Sequence, residues 1–246
     1  MIEALSPILV GELADLQDTL FLAEEREADL PGSALLQPEV LKELLARFGR
    51  KYPNPDLKAV ASLWSKWHFF VLVAPAVIVD VLADHKLPTD IQEVGIILSP
   101  EGRTTAVTFA HAGGKASPAD AFERFGPLFE RHLDPLVDTL STVSGAAPRV
   151  FWSNLGNLLE NLLRQAEAEL GGAAPGMAHA KTLLTSRDWP GRRSNPLFEP
   201  VRYAADHNGA PRRWRRVCCI RYLIDGLGYC KTCPLIRPAR TSEPVV

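Results

Sequence analysis

A chain of 246 residues, 46% of them hydrophobic and 23% charged, has the make-up of a globular protein with room for one or two cores, and excludes a disordered or low-complexity polymer. Its formal net charge of −2 excludes a generic nucleic-acid binder, which needs an overall basic balance to meet phosphate. The longest unbroken apolar run, Phe69 to Val79, holds 11 residues and contains Pro75. A transmembrane helix needs about 20, so the run reads as a buried core helix.

The N-terminal Met1-Ile2-Glu3-Ala4 lacks the positive region that opens a secretory signal, so a cytoplasmic setting is expected. Residues 3–30 place Leu9, Leu13, Leu16 and Leu20 at helical spacing, which predicts an amphipathic helix stopped by Pro31-Gly32. A short helix follows from Pro38, a residue suited to a first turn, to about Gly49. Pro53 and Pro55 bracket a linker. The pattern then predicts a long helix over 56–84, kinked at Pro75, with Trp64, Trp67 and His68 as packing residues. Residues 91–98 and 103–110 read as two strands joined around Pro100-Glu101-Gly102. His111 lies beyond them in a Gly-rich loop and is a candidate for ligand contact.

Ser117-Pro118 fits a helix start, and that helix is expected to reach Leu140, with Phe122, Phe125 and Phe129 as core. Ser141 to Pro148 reads as a loop. Asn154 is placed as the cap of a helix over 154–170, whose apolar stripe runs through Leu155, Leu158, Leu159, Leu162 and Leu163. A further helix is expected at 177–187. One strand leads from Asn195 to Tyr203, a turn falls at Asp206 to Gly209, and a second strand runs from Arg213 to Val217. No G-x-G-x-x-G or G-x-x-x-x-G-K-[ST] motif occurs, so no dinucleotide or P-loop fingerprint is present.

All four cysteines lie close together near the end: Cys218, Cys219, Cys230 and Cys233, in the spacing C-C-x10-C-x2-C. Thiolates suit zinc and iron–sulfur centres alike. Zinc sites usually draw on C-x2-4-C pairs at both ends, and here only Cys230 and Cys233 comply. Adjacent side chains in extended backbone point to opposite faces, so Cys218 and Cys219 can serve one centre only across a sharp bend. A two-iron centre tolerates that spacing better than a single ion. Zinc and a redox or disulfide pair stay open on spacing alone. The surroundings are basic: from Arg187 to Arg237 there are 11 Lys or Arg against 4 Asp or Glu. Positive charge beside a cluster favours its reduced state.

The strings Arg215-Arg216-Val217-Cys218-Cys219-Ile220-Arg221-Tyr222 and Cys230-Lys231-Thr232-Cys233, with Phe151-Trp152-Ser153-Asn154 and Asn195-Pro196-Leu197-Phe198 upstream, resemble the ferric siderophore reductases of the FhuF family. The resemblance implies a [2Fe-2S] cluster on Cys218, Cys219, Cys230 and Cys233. It implies one-electron reduction of iron(III) held by a siderophore, often of hydroxamate type, in a cytoplasmic protein with peripheral inner-membrane association in some members. Without a nucleotide motif, an external donor such as a ferredoxin or flavin reductase is expected. Trp152, Asn154, Trp214, Arg215, Arg216, Arg221 and Tyr222 are the candidates for docking substrate or donor or for shielding the cluster. The rival readings are a zinc-stapled binding module without redox activity, and an iron–sulfur carrier or sensor with another partner. The expected fold class is α+β: a predominantly helical body with a small antiparallel sheet over residues 1–210, and a compact C-terminal iron–sulfur module over 211–246.

Overall fold

The computed structural model describes residues 16–116, 120–170, 174–191, 194–205 and 210–236. Its centre is helix α2, Leu57–Ala83, after the shorter helix α1, Pro38–Gly49. Asp56 caps α2 by accepting from the Ala59 amide at 2.9 Å, which satisfies one of the free donors of the first turn. Nineteen of the 27 residues of α2 are buried, because its middle is apolar on every face. By length and composition α2 could cross a membrane, but 72% of its most apolar window is covered by the rest of the protein. Asp80 ends the apolar run yet is itself buried, ion-paired with Arg124.

Against α2 lies a four-stranded sheet in the order β1-β5-β4-β2, with β1 at Leu20–Leu22, β2 at Leu30–Pro31, β4 at Val94–Leu98 and β5 at Thr104–Phe109. The hairpin β4–β5 is antiparallel, with Ile96 opposite Val107, and turns at Gly102 with φ +76°. A Cβ there would meet the Leu44 carbonyl oxygen at 3.0 Å, so glycine serves both the turn and the approach of α1. The Gly102 carbonyl accepts from Trp64 Nε1 at 2.8 Å, which ties the turn to α2. The small strands β3, His85–Lys86, and β6, Gly114–Lys115, pair beside it.

The second half is α3, Ala121–Leu128, a π-helical turn at Phe129–Leu133, α4, Asp134–Ser144, α5, Pro148–Leu170, and α6, Met177–Thr185. Pro127 and Pro135 remove amide donors from this stretch, and the helix widens into the π turn between them. The hairpin of β7, Val201–Ala205, and β8, Pro211–Arg215, then leads to the cysteines.

The fold is α+β as expected, with several corrections. The small sheet is mixed, since β1 runs parallel to β5. Residues 16–30 are not helical: a 3-10 turn at 16–19 leads into β1. Leu16 and Leu20 are buried as their spacing demands, but the free edge of β5 supplies backbone partners to Leu20–Leu22. The earlier part of that predicted helix lies outside the described residues. So do Ser117-Pro118 and the turn at 206–209; the helix after Ser117 is described from its cap Asp120, whose Oδ1 accepts from Phe122 and Glu123 amides. The loop expected at 141–148 shrinks to 145–147, because α4 runs to Ser144 and ends on Gly145 at φ +72°, a left-handed helix stop. Helix α5 therefore starts at Pro148, and Asn154 sits inside it rather than at its cap. The strands near the end lie at 201–205 and 211–215: the first starts six residues later and ends two later than expected, and the second lies two residues earlier. Trp67 is 42% exposed, with the Arg103 guanidinium over its ring, and is not a core residue.

Candidate metal centre

After β8 the chain turns away from the hairpin. The Arg216 amide donates to the Pro200 carbonyl at 3.0 Å, and the Arg215 amide to the Thr232 carbonyl at 2.9 Å. The second bond brings the strand β8 that leads to the first two cysteines beside the segment carrying the last two. Ile220 then sits at φ +52°, a conformation seldom entered by a β-branched residue. The chain bends there, just past the adjacent cysteines, and the Ile220 amide lies 3.3 Å from Cys218 Sγ. The connection to Cys230 closes on itself: Arg221 Nη2 donates to the Leu227 carbonyl at 2.6 Å, and Gly226 and Gly228 take positive φ.

All four cysteines are free thiols. They meet in two rungs. Cys218 and Cys233 Sγ lie 3.5 Å apart, and Cys219 and Cys230 Sγ lie 4.0 Å apart. Among the described residues, no three His, Cys, Asp or Glu side chains gather around one point. Two pairs of soft thiolates match a centre of two irons, each taking two sulfur ligands, and the donor set fits the group that the spacing suggested.

The pocket wall is built by α2 and α5. Ser62 Oγ donates to the Cys219 carbonyl at 2.7 Å. Asn154, buried inside α5, donates through Nδ2 to the Ser62 carbonyl, Ser62 Oγ and Ser65 Oγ at 2.9, 3.0 and 3.1 Å. Its Oδ1 accepts from Arg215 Nη2 at 2.7 Å, and Ser153 Oγ accepts from the same nitrogen at 3.0 Å. Ser153 in turn donates to the Val217 carbonyl at 3.0 Å. This network locks the cysteine-bearing segment to the body and fixes Arg215, which is 3% exposed. Arg215 Nε has no hydrogen-bond partner; burial lowers the Arg215 pKa, and the neighbouring Cys219, Cys230 and Cys218 oppose that.

Lys66 of α2 stands near Cys219: burial lowers its pKa, and the neighbouring Cys219 works against that. Cys219 carries the charge of its pair. Its pKa falls to about 4, first through the bond it shares with Cys230, then through Lys66 and Arg215. Cys230 keeps the proton and is raised for that reason. Burial pushes Cys218 up to about 11. The Cys219 thiolate and the two cations beside it favour metal binding, which must displace the protons that Cys218 and Cys230 hold.

The family model described as ferric iron reductase FhuF-like transporter matches residues 62–211, and that of the FhuF 2Fe-2S C-terminal domain matches residues 215–235. This chain belongs to the FhuF-like ferric iron reductase family. As a member of it, the chain is an oxidoreductase with a [2Fe-2S] cluster as cofactor. The ferric siderophore reductase of Escherichia coli (strain K12) is 26% identical over 230 residues, covering 87% of this chain and 84% of that one. Among solved structures, the ATP-bound aerobactin synthetase IucA from a hypervirulent pathotype of Klebsiella pneumoniae aligns with a TM-score of 0.58 at 10% identity, over 72% of this chain and 38% of that chain. A second structure of the same synthetase gives 0.54, over 65% and 34%. At such identity the likeness is one of fold.

The structure separates the predicted docking residues of this FhuF-like chain. Asn154 and Arg215 lie in the wall behind the thiols. Trp152 and Arg216 line a different cavity, of about 310 Å³, with Phe198 and Pro200, and Arg216 is ion-paired with Glu199. Trp214 is 2% exposed under the Arg212 guanidinium, so it is a core residue. Arg221 closes the connecting loop. Tyr222 is on the surface, its ring 5.1 Å from that of Tyr229. His68 is buried as expected, and His111 is exposed, its Nδ1 accepting from the Gly113 amide. The sequence reading missed Ser62, Ser65 and Lys66 of α2. Their signal was three polar residues at positions i, i+3 and i+4 at the start of an otherwise apolar helix, one shared face.

Proposed function

We propose that this chain is a siderophore-iron reductase, converting siderophore-bound iron(III) to iron(II) with one electron from an external donor such as a ferredoxin or a flavin reductase. The donor is oxidised by one electron and the iron is reduced by one. Oxygen-rich chelators hold iron(II) less tightly than iron(III), so reduction promotes release. Cys218, Cys219, Cys230 and Cys233 are the residues assigned to hold the cluster. When bound, the [2Fe-2S] cluster supplies a one-electron carrier near the protein surface.

The protein's own groups do the rest. Arg215 and Lys66 balance the negative charge that four thiolates bring, which favours reduction. Ser62, Ser153 and Asn154 hold the backbone of the cysteine segment, so that the ligand positions change little when charge is added. The proposed substrate is a ferric siderophore of hydroxamate type, and the proposed setting is the cytoplasm, with peripheral inner-membrane association. Residues 1–210 serve as the body and 211–246 as the cluster-bearing module.

The observation that carries this reading is the pairing of the thiols as two rungs beside buried cations, in a chain of this family. The test is a Cys230→Ser variant purified without oxygen, assayed for bound iron and for reduction of a ferric trihydroxamate with an iron(II) trap. Loss of iron, of the visible spectrum and of iron(II) production is expected. Full iron content with unchanged spectra contradicts the ligand assignment.

A further inference from the structure

Cys230 opens on a cavity of about 390 Å³ between α2, α5 and β8, a volume within the range of small-molecule sites. Its polar lining is unequally occupied. Asn154 and Arg215 are committed to the wall behind the thiols. Arg213 is ion-paired with Glu160, and its other nitrogens bond Asn157 Oδ1 and the Asn157 carbonyl, both at 2.8 Å. That turns Asn157 into a donor, since its oxygen is taken and its Nδ2 has no protein partner among the described residues. Lys66 reaches Cys219 and the cavity together, and Thr232 lines it as well. No Asp or Glu is among the lining residues. Phe70, 42% exposed, adds an apolar shelf.

A cavity with an ammonium, an amide donor and a hydroxyl, and no carboxylate, takes an oxygen-rich ligand of zero or negative charge. It disfavours a cationic one, because that ligand would meet the Lys66 ammonium with no carboxylate in the lining to attract it. Its contact with Cys230 puts such a ligand next to the metal centre. We propose that this cavity seats the ferric chelate, and that Lys66 makes it select chelates by peripheral charge, negative before neutral before positive. The inference rests on the siderophore-reductase reading above and deepens it.

Gallium(III) shares the charge and oxygen preference of iron(III) but accepts no electron under these conditions, so its complexes report binding apart from turnover. The probes are gallium(III) complexes of one linear trihydroxamate with three terminal groups: a free amine (complex charge +1), its acetyl derivative (neutral) and its succinyl derivative (−1). Each is titrated calorimetrically into the cluster-loaded full chain. The succinyl complex is expected to bind tightest and the amine complex weakest. Lys66→Met weakens the succinyl complex about fivefold and flattens the series, the scale of a part-exposed charge contact. Asn157→Asp, which places a carboxylate in the cavity, reverses the preference between the succinyl and amine forms. Iron content and the visible spectrum of each variant are checked first, and Asn157→Asp keeps the test alive should Lys66→Met lose the cluster.

If both variants bind all three complexes as the parent does while the ferric forms are still reduced, the chelate docks elsewhere. That overturns the cavity assignment and leaves the reductase reading standing. If no gallium complex binds the parent and no ferric complex is reduced, the underlying reading fails and the cavity assignment with it.

Discussion

Two arginines in this protein are each 3% exposed, Arg124 and Arg215, and their surroundings differ in one respect. Arg124, on α3, is met by carboxylates: its Nε is paired with Asp80 and one Nη2 with Asp84 of α2, and the same Nη2 donates to the Asp80 carbonyl at 2.7 Å. Arg215 has no carboxylate. Its side chain bonds neutral oxygens of Asn154 and Ser153, its Nε has no hydrogen-bond partner, and Cys219, Cys230 and Cys218 are the groups that favour its charge. A buried cation needs a compensating charge. At Arg124 the folded chain supplies it permanently, which makes a structural clamp between α2 and α3. On the proposed ligand assignment the cysteine thiolates and their cluster supply it at Arg215, so the balance of charge there depends on cluster loading. Equal burial thus makes a structural clamp in one place and, on that assignment, tunes the metal centre in the other.

The largest expected effect is at the clamp. Arg124→Ala leaves Asp80 buried without a partner, and burial already raises the Asp80 pKa against the pull of Arg124. Removing one partner of a buried pair costs about 3 to 5 kcal/mol. Denaturant unfolding is expected to report the same loss in iron-loaded and iron-free protein; a loss that depends on loading would erase the contrast with Arg215.

A third buried site avoids charge altogether. His68 Nε2 and His132 Nε2 lie 3.4 Å apart, with His68 Nδ1 on Thr104 Oγ1 and His132 Nδ1 on the Thr89 carbonyl. Burial takes the His132 pKa to about 4 and that of His68 well below 6.5, where the neighbouring His132 also opposes a charge. Both pKa values are depressed on folding, so the unfolded chain binds more protons between these values and 6.5. The pair's contribution is fully present above about pH 6.5 and is lost as pH falls toward 4 and below, with His132 alone accounting for a change on the order of 3 kcal/mol. Unfolding of the iron-free protein as a function of pH checks it: His132→Asn is expected to flatten that slope, and an equally steep slope in the variant would assign it to other groups.

Smaller effects belong to the metal centre. Arg215→Met is expected to destabilise the loaded protein more than the iron-free one, the reverse of a fixed clamp. It should also lower the reduction potential by roughly the 59 mV that corresponds to a tenfold change for one electron. Lys66→Met, removing a less buried charge, should shift the potential in the same direction by less. Potentiometric titration reads both, and an unchanged potential in Arg215→Met would return that arginine to a purely structural role.

Much of this was legible in the sequence, for identifiable reasons. The long core helix, the hairpin at Gly102 and the four-cysteine cluster follow from local signals: apolar runs, turn residues and spacing. The strand at Leu20 was not legible, because leucines at helical intervals satisfy a sheet edge as well as a helix once β5 is there to pair with. Asn154 was noticed but misplaced at a cap, since α5 begins six residues earlier at Pro148. The roles of Ser62 and Lys66 depend on nearness to Cys219, more than 150 positions away, and that of Ser65 on Asn154 in α5, which one-dimensional spacing does not encode. Trp214 and Arg216 were singled out by nearness in sequence to the cysteines, yet one faces the core and the other a separate cavity.

The most direct measurement of the central assignment is an optical and electron paramagnetic resonance spectrum of anaerobically purified protein, before and after dithionite, with metal analysis of the same sample. Two irons per chain, visible bands that bleach on reduction and a reduced S = 1/2 signal are expected from a [2Fe-2S] cluster on Cys218, Cys219, Cys230 and Cys233. A colourless, silent protein with one zinc per chain would contradict it.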